Sequence, residues 1–518
     1  MREINRRQFI RWTARGVGTV AFLTSHDRGH AKDPEQTLRV QLPSSLNSID
    51  PAFEISAGDE GKVSILVSNA LLRYAEGKEF KLVPDLATSW TVSEGGKIYT
   101  FKLREKVKWH KGFGEFNADD VKFSYERIMN PETRSPNAGS FREIEKIDIV
   151  DKHTLRFVLK GPSAIFPHTV ATFRGGFLLS KAAGGKLGAE VGKRIIGTGP
   201  FMLEKAVLDQ EIILKRNDEF FGEKPRLETI VFKVIREPGT AYLAFEREQL
   251  DIIDINEKES VDRYQKNPRY KFLVSDASTG IYLITFNTRK KPFDNVKVRK
   301  AFQYAIDKKA ISDAVFGARG RTIDTVVPPG VPGFTDDVLK YPHDIDKAKK
   351  LLEEAGYPKG FRAKLTVPTT NEREGVILQS QLAKIGITLD LQMIDRPTWF
   401  KSLAGTDHDI LFNAHFRPPL AHAFLFISYH SANSAPKGVN CAFYDRADDL
   451  IDRAKTTFDE KEQSKLYAEA LRRIADDTPA IPLIQEMNTF VAQKYVKNVE
   501  TFRVPENAPV LEKCYIEK

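Results

Sequence analysis

The apolar residues of this chain change their spacing near residue 280, and this change constrains the possible folds more than any other feature. From Leu38 to Val234 apolar and polar residues tend to alternate, a period of two that is typical of strands with one buried face. Three runs show the alternation: Tyr99, Phe101 and Leu103; Leu155, Phe157 and Leu159; Ile230, Phe232 and Val234. Turn signals such as Gly197-Thr198-Gly199-Pro200 separate such runs. The first half is therefore predicted to be rich in strands.

After residue 280 the apolar spacing becomes helical, and predicted helices alternate with predicted strands. Val298, Ala301 and Phe302 begin a run at the spacing of one helix face. A strand at 365–367, a helix at 378–385 and a strand at 389–393 make a βαβ unit. A short helix from residue 397 and a strand at 410–414 follow. The chain is thus assigned to the α/β class.

Two loops that follow predicted strands are candidate ligand contacts. Ligands of open α/β sheets gather outside the carboxyl ends of the strands, where helix N-termini present free N–H groups. The first loop carries Asn371 and Arg373, and the second carries His415, Phe416 and Arg417. A turn or cap role is the alternative for Asn371, and a solvated position in the first helical turn is the alternative for Arg373.

The first 31 residues have the pattern of an export signal. The segment Asn5 to Arg11 reads NRRQFIR, a short weakly apolar stretch follows, and Gly29-His30-Ala31 fits a cleavage site. The pair Arg6-Arg7 resembles a twin-arginine signal, although Arg15 shortens the apolar stretch. The mature chain is predicted to begin near residue 32 and to be soluble, because no later apolar run approaches the roughly 20 residues that a spanning helix needs.

Charge and cysteine content limit the possible partners. The net charge of +9 includes a signal segment with six arginines against Glu3 and Asp27, and no Lys/Arg block with interleaved aromatic residues follows. Nucleic-acid binding is therefore not expected. The two cysteines, Cys441 and Cys514, fit no zinc or redox spacing. They form either one disulfide or two free thiols.

Motifs for catalysis or metal binding are missing from the sequence. It contains no G-x-S-x-G, H-E-x-x-H or Gly-rich phosphate loop. Asp119-Asp120 has the pattern of a helix cap rather than of an acid/base pair. His415, His422 and His430 stand seven and eight residues apart, which fits no compact ligand motif. The chain is predicted to be a binding protein and not an enzyme, without metal or cofactor.

Short segments along nearly the whole mature chain resemble family 5 of the extracellular solute-binding proteins, the oligopeptide-, dipeptide- and nickel-binding receptors of ABC importers. Each segment is weak alone, and their order and number make the resemblance specific. The segments include Leu46-Asn47-Ser48-Ile49-Asp50-Pro51, Leu82 to Trp90, Trp109-His110-Lys111-Gly112, Gly197 to Phe201, Phe286-Asn287-Thr288, Glu354-Ala355-Gly356-Tyr357-Pro358 and Ile481-Pro482-Leu483.

The resemblance implies a periplasmic binding protein-like fold (type II, cluster C), with two lobes, a hinge and an extra subdomain in lobe I. Lobe I would comprise 32–280 with a return segment 487–518, and lobe II 281–486, with crossings near 281–287 and 484–490. Such a receptor is a monomer that closes around its ligand in the periplasm and serves permease subunits of an ABC importer. A ligand-sensing or chaperone-like receptor without transport is the alternative.

Site residues also follow from the resemblance. In peptide-binding relatives an aspartate after the strand at 410–414 takes the peptide's amino group, whereas this chain has Pro418 there. A buried ammonium group without a carboxylate is costly, so an ordinary peptide requires another acid, such as Glu54.

The arginines suggest an anionic ligand instead, because guanidinium groups pair with carboxylate or phosphate. The ligand is then a peptide or peptide-like molecule, or an anionic opine or sugar-phosphate conjugate. Aromatic contacts are predicted at Trp399, Tyr282 and Phe141, with core burial as the alternative for each.

Overall fold

The computed structural model describes residues 35–46, 48–53, 58–77, 80–171, 173–192, 194–275, 277–503 and 508–518. Residues 36–518 form one compact unit. Most of its strands belong to three sheets of seven, six and four strands, here called the first, second and third sheets. Within these described ranges, no helix has both the length and the apolar character needed to cross a bilayer. The predicted signal segment lies outside the described residues.

The strands of the three sheets are numbered along the chain. Those before residue 280 are β1 (Thr37–Leu42), β2 (Ala87–Ser93), β3 (Ile98–Leu103), β4 (Ile144–Asp151), β5 (Thr154–Leu159), β6 (Phe201–Val207), β7 (Glu211–Arg216), β8 (Thr229–Val234), β9 (Ile252–Asp254) and β10 (Tyr270–Val274). Those after it are β11 (Gly280–Phe286), β12 (Gly320–Thr322), β13 (Arg362–Pro368), β14 (Thr388–Ile394), β15 (Ile410–Phe416), β16 (Ala480–Glu486) and β17 (Thr489–Gln493). Short pairs form from Leu72–Tyr74 with Leu82–Pro84, Val496–Lys497 with Tyr515–Ile516, and Phe502–Arg503 with Ala508–Pro509.

The helices of seven or more residues are numbered in the same way. They are α1 (Asp59–Val67), α2 (Ala118–Met129), α3 (Lys181–Leu187), α4 (Pro238–Glu246), α5 (Lys258–Gln265), α6 (Val296–Ala305), α7 (Ile345–Glu354), α8 (Glu372–Ala383), α9 (Arg396–Ser402), α10 (Ala421–Tyr429), α11 (Asp448–Thr456) and α12 (Glu460–Asp477). Single turns lie at Phe166–Thr169, Phe173–Gly176 and Lys308–Ile311. A capping box between Asn117 and Asp120 starts α2, which confirms that Asp119-Asp120 belongs to a helix cap.

Strand order decides which loops meet. The first sheet has the order β10-β17-β9-β1-β8-β7-β6, and the second has β12-β16-β11-β15-β13-β14. In the second sheet β13 is parallel to both β14 and β15, so the carboxyl ends of these three strands share one edge. Antiparallel pairing brings the start of β11 and the end of β16 to the same edge. In the first sheet β1 is parallel to β8 and β9, and their carboxyl ends likewise share an edge.

The chain passes between the first and second sheets twice, from β10 to β11 and from β16 to β17. The two crossing segments are hydrogen-bonded to each other: Ser275 N donates to Asn488 O over 2.8 Å, and Gln485 Nε2 donates to Ser278 O over 2.8 Å. The first crossing precedes the stretch 281–287 expected for it, because Gly280–Phe286 is already a strand of the second sheet.

The third sheet, in the order β2-β3-β5-β4, packs with α2 in an aromatic core. This core continues into α10, α11 and α12, which follow the second sheet in the chain. Direct contacts join the two parts there: Ala164 N donates to Lys455 O over 2.8 Å, and Lys455 Nζ lies 3.1 Å from Glu143 Oε2. The third sheet is therefore in direct contact with the helices that follow the second sheet.

Candidate functional site

The two loops predicted to contact a ligand leave the second sheet at the same edge. Register pairs Pro368 with Ile394 and Gly280 with Phe416, so the segments after β13, β14 and β15 all begin there. The crossing segments begin and end at this edge too, which therefore faces the first sheet. The candidate site is built from side chains along this edge.

Asn371 and Arg373 are held by carboxylates of the protein. Asn371 Nδ2 donates to Glu374 Oε1 over 2.9 Å. Arg373 pairs with Glu259 of α5 over 3.0 Å, and both side chains are more than 60% exposed. The partner acid and the exposure make Arg373 a surface contact between α8 and α5, and its ligand role stays a prediction.

Two of the predicted aromatic contacts are core residues. Phe141 has no exposed surface and packs 5.1 Å from the ring of Tyr125. Trp399 is 5% exposed, and its indole N–H donates to Phe412 O over 2.9 Å. Apolar burial with a satisfied indole N–H places both in the structural role weighed against ligand contact.

Tyr282 lies at the same edge in an ionic network. Its hydroxyl donates to Glu486 Oε2 over 3.0 Å, and Arg319 donates to the other oxygen of Glu486. Burial and the neighbouring carboxylate of Glu486 raise the pKa of Tyr282 well above its usual value. Arg319 also donates to Asn256 O, which follows β9 of the first sheet. This network therefore links the two sheets close to the crossing segments.

Phe416 covers the start of β11. Its ring lies where a side chain at Gly280 would have to stand, because a Cβ there would be 2.5 Å from Phe416 Cε1. The same ring meets Tyr282 edge to face at 6.3 Å and remains 39% exposed. Phe416 is thus an accessible aromatic surface at the edge.

Arg417 follows β15, and its side chain is half-buried. Its Nε is buried and has no hydrogen-bond partner among the described residues. Burial, with the nearby guanidinium of Arg174 as a smaller cause, lowers the pKa of Arg417 to about 10. Arg174 Nη2 donates to Phe416 O over 3.3 Å, across 242 positions of sequence. Two guanidinium groups thus approach each other from distant segments.

His415 and Tyr429 flank Arg417 with further polar atoms. His415 is 6% exposed and Tyr429 is 1% exposed, and their rings meet at 6.5 Å. Neither His415 Nδ1 nor the Tyr429 hydroxyl has a hydrogen-bond partner within the described ranges. Burial, with Arg417 nearby, holds the pKa of His415 well below its usual value, so the imidazole is neutral.

The sequence contained no clear signal for Arg174 or Tyr429. Arg174 lies in the run Phe173-Arg174-Gly175-Gly176 and Tyr429 ends an apolar helix, and neither pattern marks a ligand contact. Two glycines follow Arg174 in the sequence, and in the structure Gly175 has a φ of +85°. Glu54 lies outside the described residues.

Both cysteines are free and buried. The Cys441 thiol donates to Leu403 O over 3.1 Å, and burial raises the pKa of Cys441 to about 12. In the described part of the chain, no group of three His, Cys, Asp or Glu residues is placed to hold a metal ion.

A cavity of about 530 Å³ lies away from this edge. Its walls come from residues 65–226 and 498–513, and they include Asn69, Asp85 and Arg104. Asn69 Nδ2 and Arg104 Nε both donate to Asp85, at 2.9 and 3.2 Å. Because no lining residue belongs to the second sheet, a molecule in this cavity would not contact that sheet.

Comparison with known proteins places the chain in a family. The model of the bacterial extracellular solute-binding proteins, family 5 Middle, matches residues 81–436. The dipeptide-binding protein of Escherichia coli (strain K12) is 30% identical over 466 residues, 84% of this chain and 87% of its own.

Two solved structures share the fold. The ABC transporter-associated periplasmic binding protein DppA from Helicobacter pylori, in complex with peptide STSA, has a TM-score of 0.79 at 28% identity, covering 93% of this chain and 98% of its own. The protein MoaA from A. tumefaciens R10, in complex with mannopinic acid, also has a TM-score of 0.79 at 28% identity, covering 94% and 100%. The chain therefore belongs to the bacterial extracellular solute-binding proteins of family 5, and its fold is that of the periplasmic binding proteins.

Proposed function

We propose that this chain is the periplasmic receptor of an ABC importer, which captures a small ligand between two lobes and delivers it to the membrane permease. The single observation that carries the proposal is the meeting of two sheet edges, joined by two adjacent crossings, around polar atoms that have no hydrogen-bond partner among the described residues. Hinge closure needs such paired crossings, because ligand contacts with both lobes then shift an open population toward a closed one.

The proposed lobes are 32–280 with 487–518, and 281–486. All strands of the second sheet lie within 280–486, and the first and third sheets lie outside that range, which supports this division. The third sheet with α2 corresponds to the extra subdomain of lobe I. The receptor is proposed to be a monomer that reaches the periplasm through a twin-arginine signal at 1–31.

The ligand is proposed to be a peptide or peptide-like molecule, or an anionic opine or sugar-phosphate conjugate. The names of the relatives support both classes, since one is a dipeptide-binding protein and another was solved with mannopinic acid. The loop after β15 carries the positive charge of Arg417 and no acidic residue, which supports the anionic class.

The test begins with the protein purified from the periplasm. Denaturation followed by mass spectrometry of the released small molecules is expected to give one compound in a ratio of about one per chain. A strain lacking the gene is expected to stop accumulating that compound, and a plasmid copy restores uptake. Unchanged uptake in the deletion strain would contradict the importer role and favour a sensing or chaperone-like receptor.

A further inference from the structure

We infer that Arg417, Arg174, Tyr429 and His415 form one binding site for an anionic oxygen group of the captured ligand, a carboxylate or a phosphate. We call these four residues the anion site. The inference deepens the proposed function and rests on it, because Arg417 and His415 belong to the proposed lobe II and Arg174 to the proposed lobe I.

The first argument is the unmet hydrogen-bonding capacity of Arg417. A guanidinium group carries five N–H donors, and burial without acceptors is costly. Arg417 Nε is buried without an acceptor in the part of the chain that the structure describes. Its polar neighbours do not supply a counter-charge, because burial raises the pKa of Cys441 to about 12 and that of Tyr429 still further.

Another buried arginine shows how this chain satisfies a structural guanidinium. Arg299, 6% exposed, donates to four backbone carbonyls: those of Phe293, Asp294, Asp477 and Thr478. For Arg417 Nε no described residue supplies such a carbonyl. The contrast indicates that the acceptor for Arg417 comes from outside the chain.

Arg174 makes the anion site selective for negative charge. It sits against the peptide group that precedes Arg417, and the two positive charges repel each other. An anion between them converts this repulsion into two attractions, and guanidinium forks match the geometry of carboxylate and phosphate oxygens. An ammonium group would be repelled, so the amino end of a peptide does not fit here.

Tyr429 and His415 complete the site with neutral donors. A hydroxyl and a neutral imidazole each hold an N–H or O–H that can point at an oxygen atom. Both side chains are more than nine-tenths buried, and the Tyr429 hydroxyl and His415 Nδ1 have no partner in the described ranges. The ligand group is therefore recognised by two charged and two neutral side chains, from both sides of the gap between the sheets.

The test uses the mature protein without ligand, with acetate and inorganic phosphate as probes at constant ionic strength and with chloride as the reference. We expect one probe to raise the Tm of the wild type by a few degrees. Arg417→Gln is expected to weaken the affinity for that probe by about tenfold or more, as the loss of a charged hydrogen bond predicts. A response to acetate alone assigns a carboxylate, and a response to phosphate alone assigns a phosphate.

Stability without any anion distinguishes a ligand-binding arginine from a structural one. Arg417→Met is expected to leave the Tm unchanged or higher, since it removes a buried Nε that has no acceptor among the described residues. Arg299→Met is the matched control and is expected to lower the Tm, because it leaves four carbonyls without a donor. A Tm loss for Arg417→Met as large as for Arg299→Met would make Arg417 structural and overturn the inference.

The failures of the two proposals can be told apart. A wild type that responds to neither probe, in a strain whose uptake depends on the gene, removes the anion site and leaves the importer role intact. A wild type that responds through Arg417, in a strain whose uptake does not depend on the gene, removes the importer role and leaves the anion site.

Discussion

Buried histidines make the stability of this protein depend on pH. His422 of α10 is 6% exposed, stacks on Phe426 at 5.2 Å and has no partner for Nδ1 among the described residues. Burial lowers the pKa of His422 to about 3, with smaller contributions from Lys455 and His430. His110 behaves in the same way, since burial lowers its pKa to about 4. The folded protein therefore keeps these imidazoles neutral.

This burial predicts that acid weakens the fold through His422. The unfolded chain takes up a proton near pH 6.5, whereas folded His422 does so only near pH 3, so stability is fully present above pH 6.5 and is lost as pH falls between these values. The His422 contribution to the free energy of unfolding should fall by about 2 kcal/mol between pH 7.5 and pH 5. Urea unfolding at several pH values should show that the free energy of unfolding falls less steeply with decreasing pH in His422→Gln than in the wild type. The control is His343→Gln, at an exposed position. If the free energy of unfolding of His422→Gln fell with pH as it does in the wild type, His422 would not be the source of the acid sensitivity.

At the scale of elements, the turn before β6 is hydrogen-bonded to the end of α1. Gly199 N donates to Val67 O over 2.9 Å, and His110 N donates to Gly197 O over 2.9 Å. A Cβ at Gly199 would lie 2.5 Å from Leu66 O, and one at Gly197 would lie 1.8 Å from Val67 O. Glycine is therefore required by close approach of two backbones, which the sequence had marked only as a turn.

The close approach predicts the cost of a single methyl group. Gly199→Ala should lower the free energy of unfolding by about 1 to 3 kcal/mol, because the backbone of α1 must move to admit it. Gly185→Ala in α3 is the control, since nothing lies within 4 Å of the Cβ it would add. Alanine in place of glycine in a helix raises the free energy of unfolding by up to about 1 kcal/mol. Denaturant titrations of both variants measure the difference. Equal stability of the two variants would show that the backbone of α1 moves to admit the methyl group without a loss of stability.

At the scale of the whole molecule, export precedes every step proposed for the receptor. The pair Arg6-Arg7 is the feature that a twin-arginine route requires, while the general route needs only positive charge ahead of an apolar segment.

Changing Arg6-Arg7 to Lys-Lys should therefore stop export although the charge is unchanged. Cell fractionation and immunoblotting should find the full-length precursor in the cytoplasm. Arg2→Lys is the control and should be exported normally. Periplasmic protein in the Lys-Lys variant would instead assign the general secretion route.

The sequence alone determined the local structure, because side-chain period reports which face of an element is buried. The alternating runs became β3, β5 and β8, the helical run at 298–306 became α6, and the predicted βαβ unit became β13, α8 and β14. The cap at Asp119-Asp120 followed from local chemistry as well. Each of these depends on neighbours only a few residues away.

The tertiary structure alone decided which candidates meet at the site. Arg373, a predicted ligand contact, pairs with Glu259, 114 positions away, and Arg174 approaches the loop of Arg417 from 242 positions away. Trp399 and Phe141 became core residues for the same reason, since packing partners from other elements cover them. Which side chains meet between two sheets is set by long-range packing and by the counter-charges available there, and no spacing along the chain contains that information.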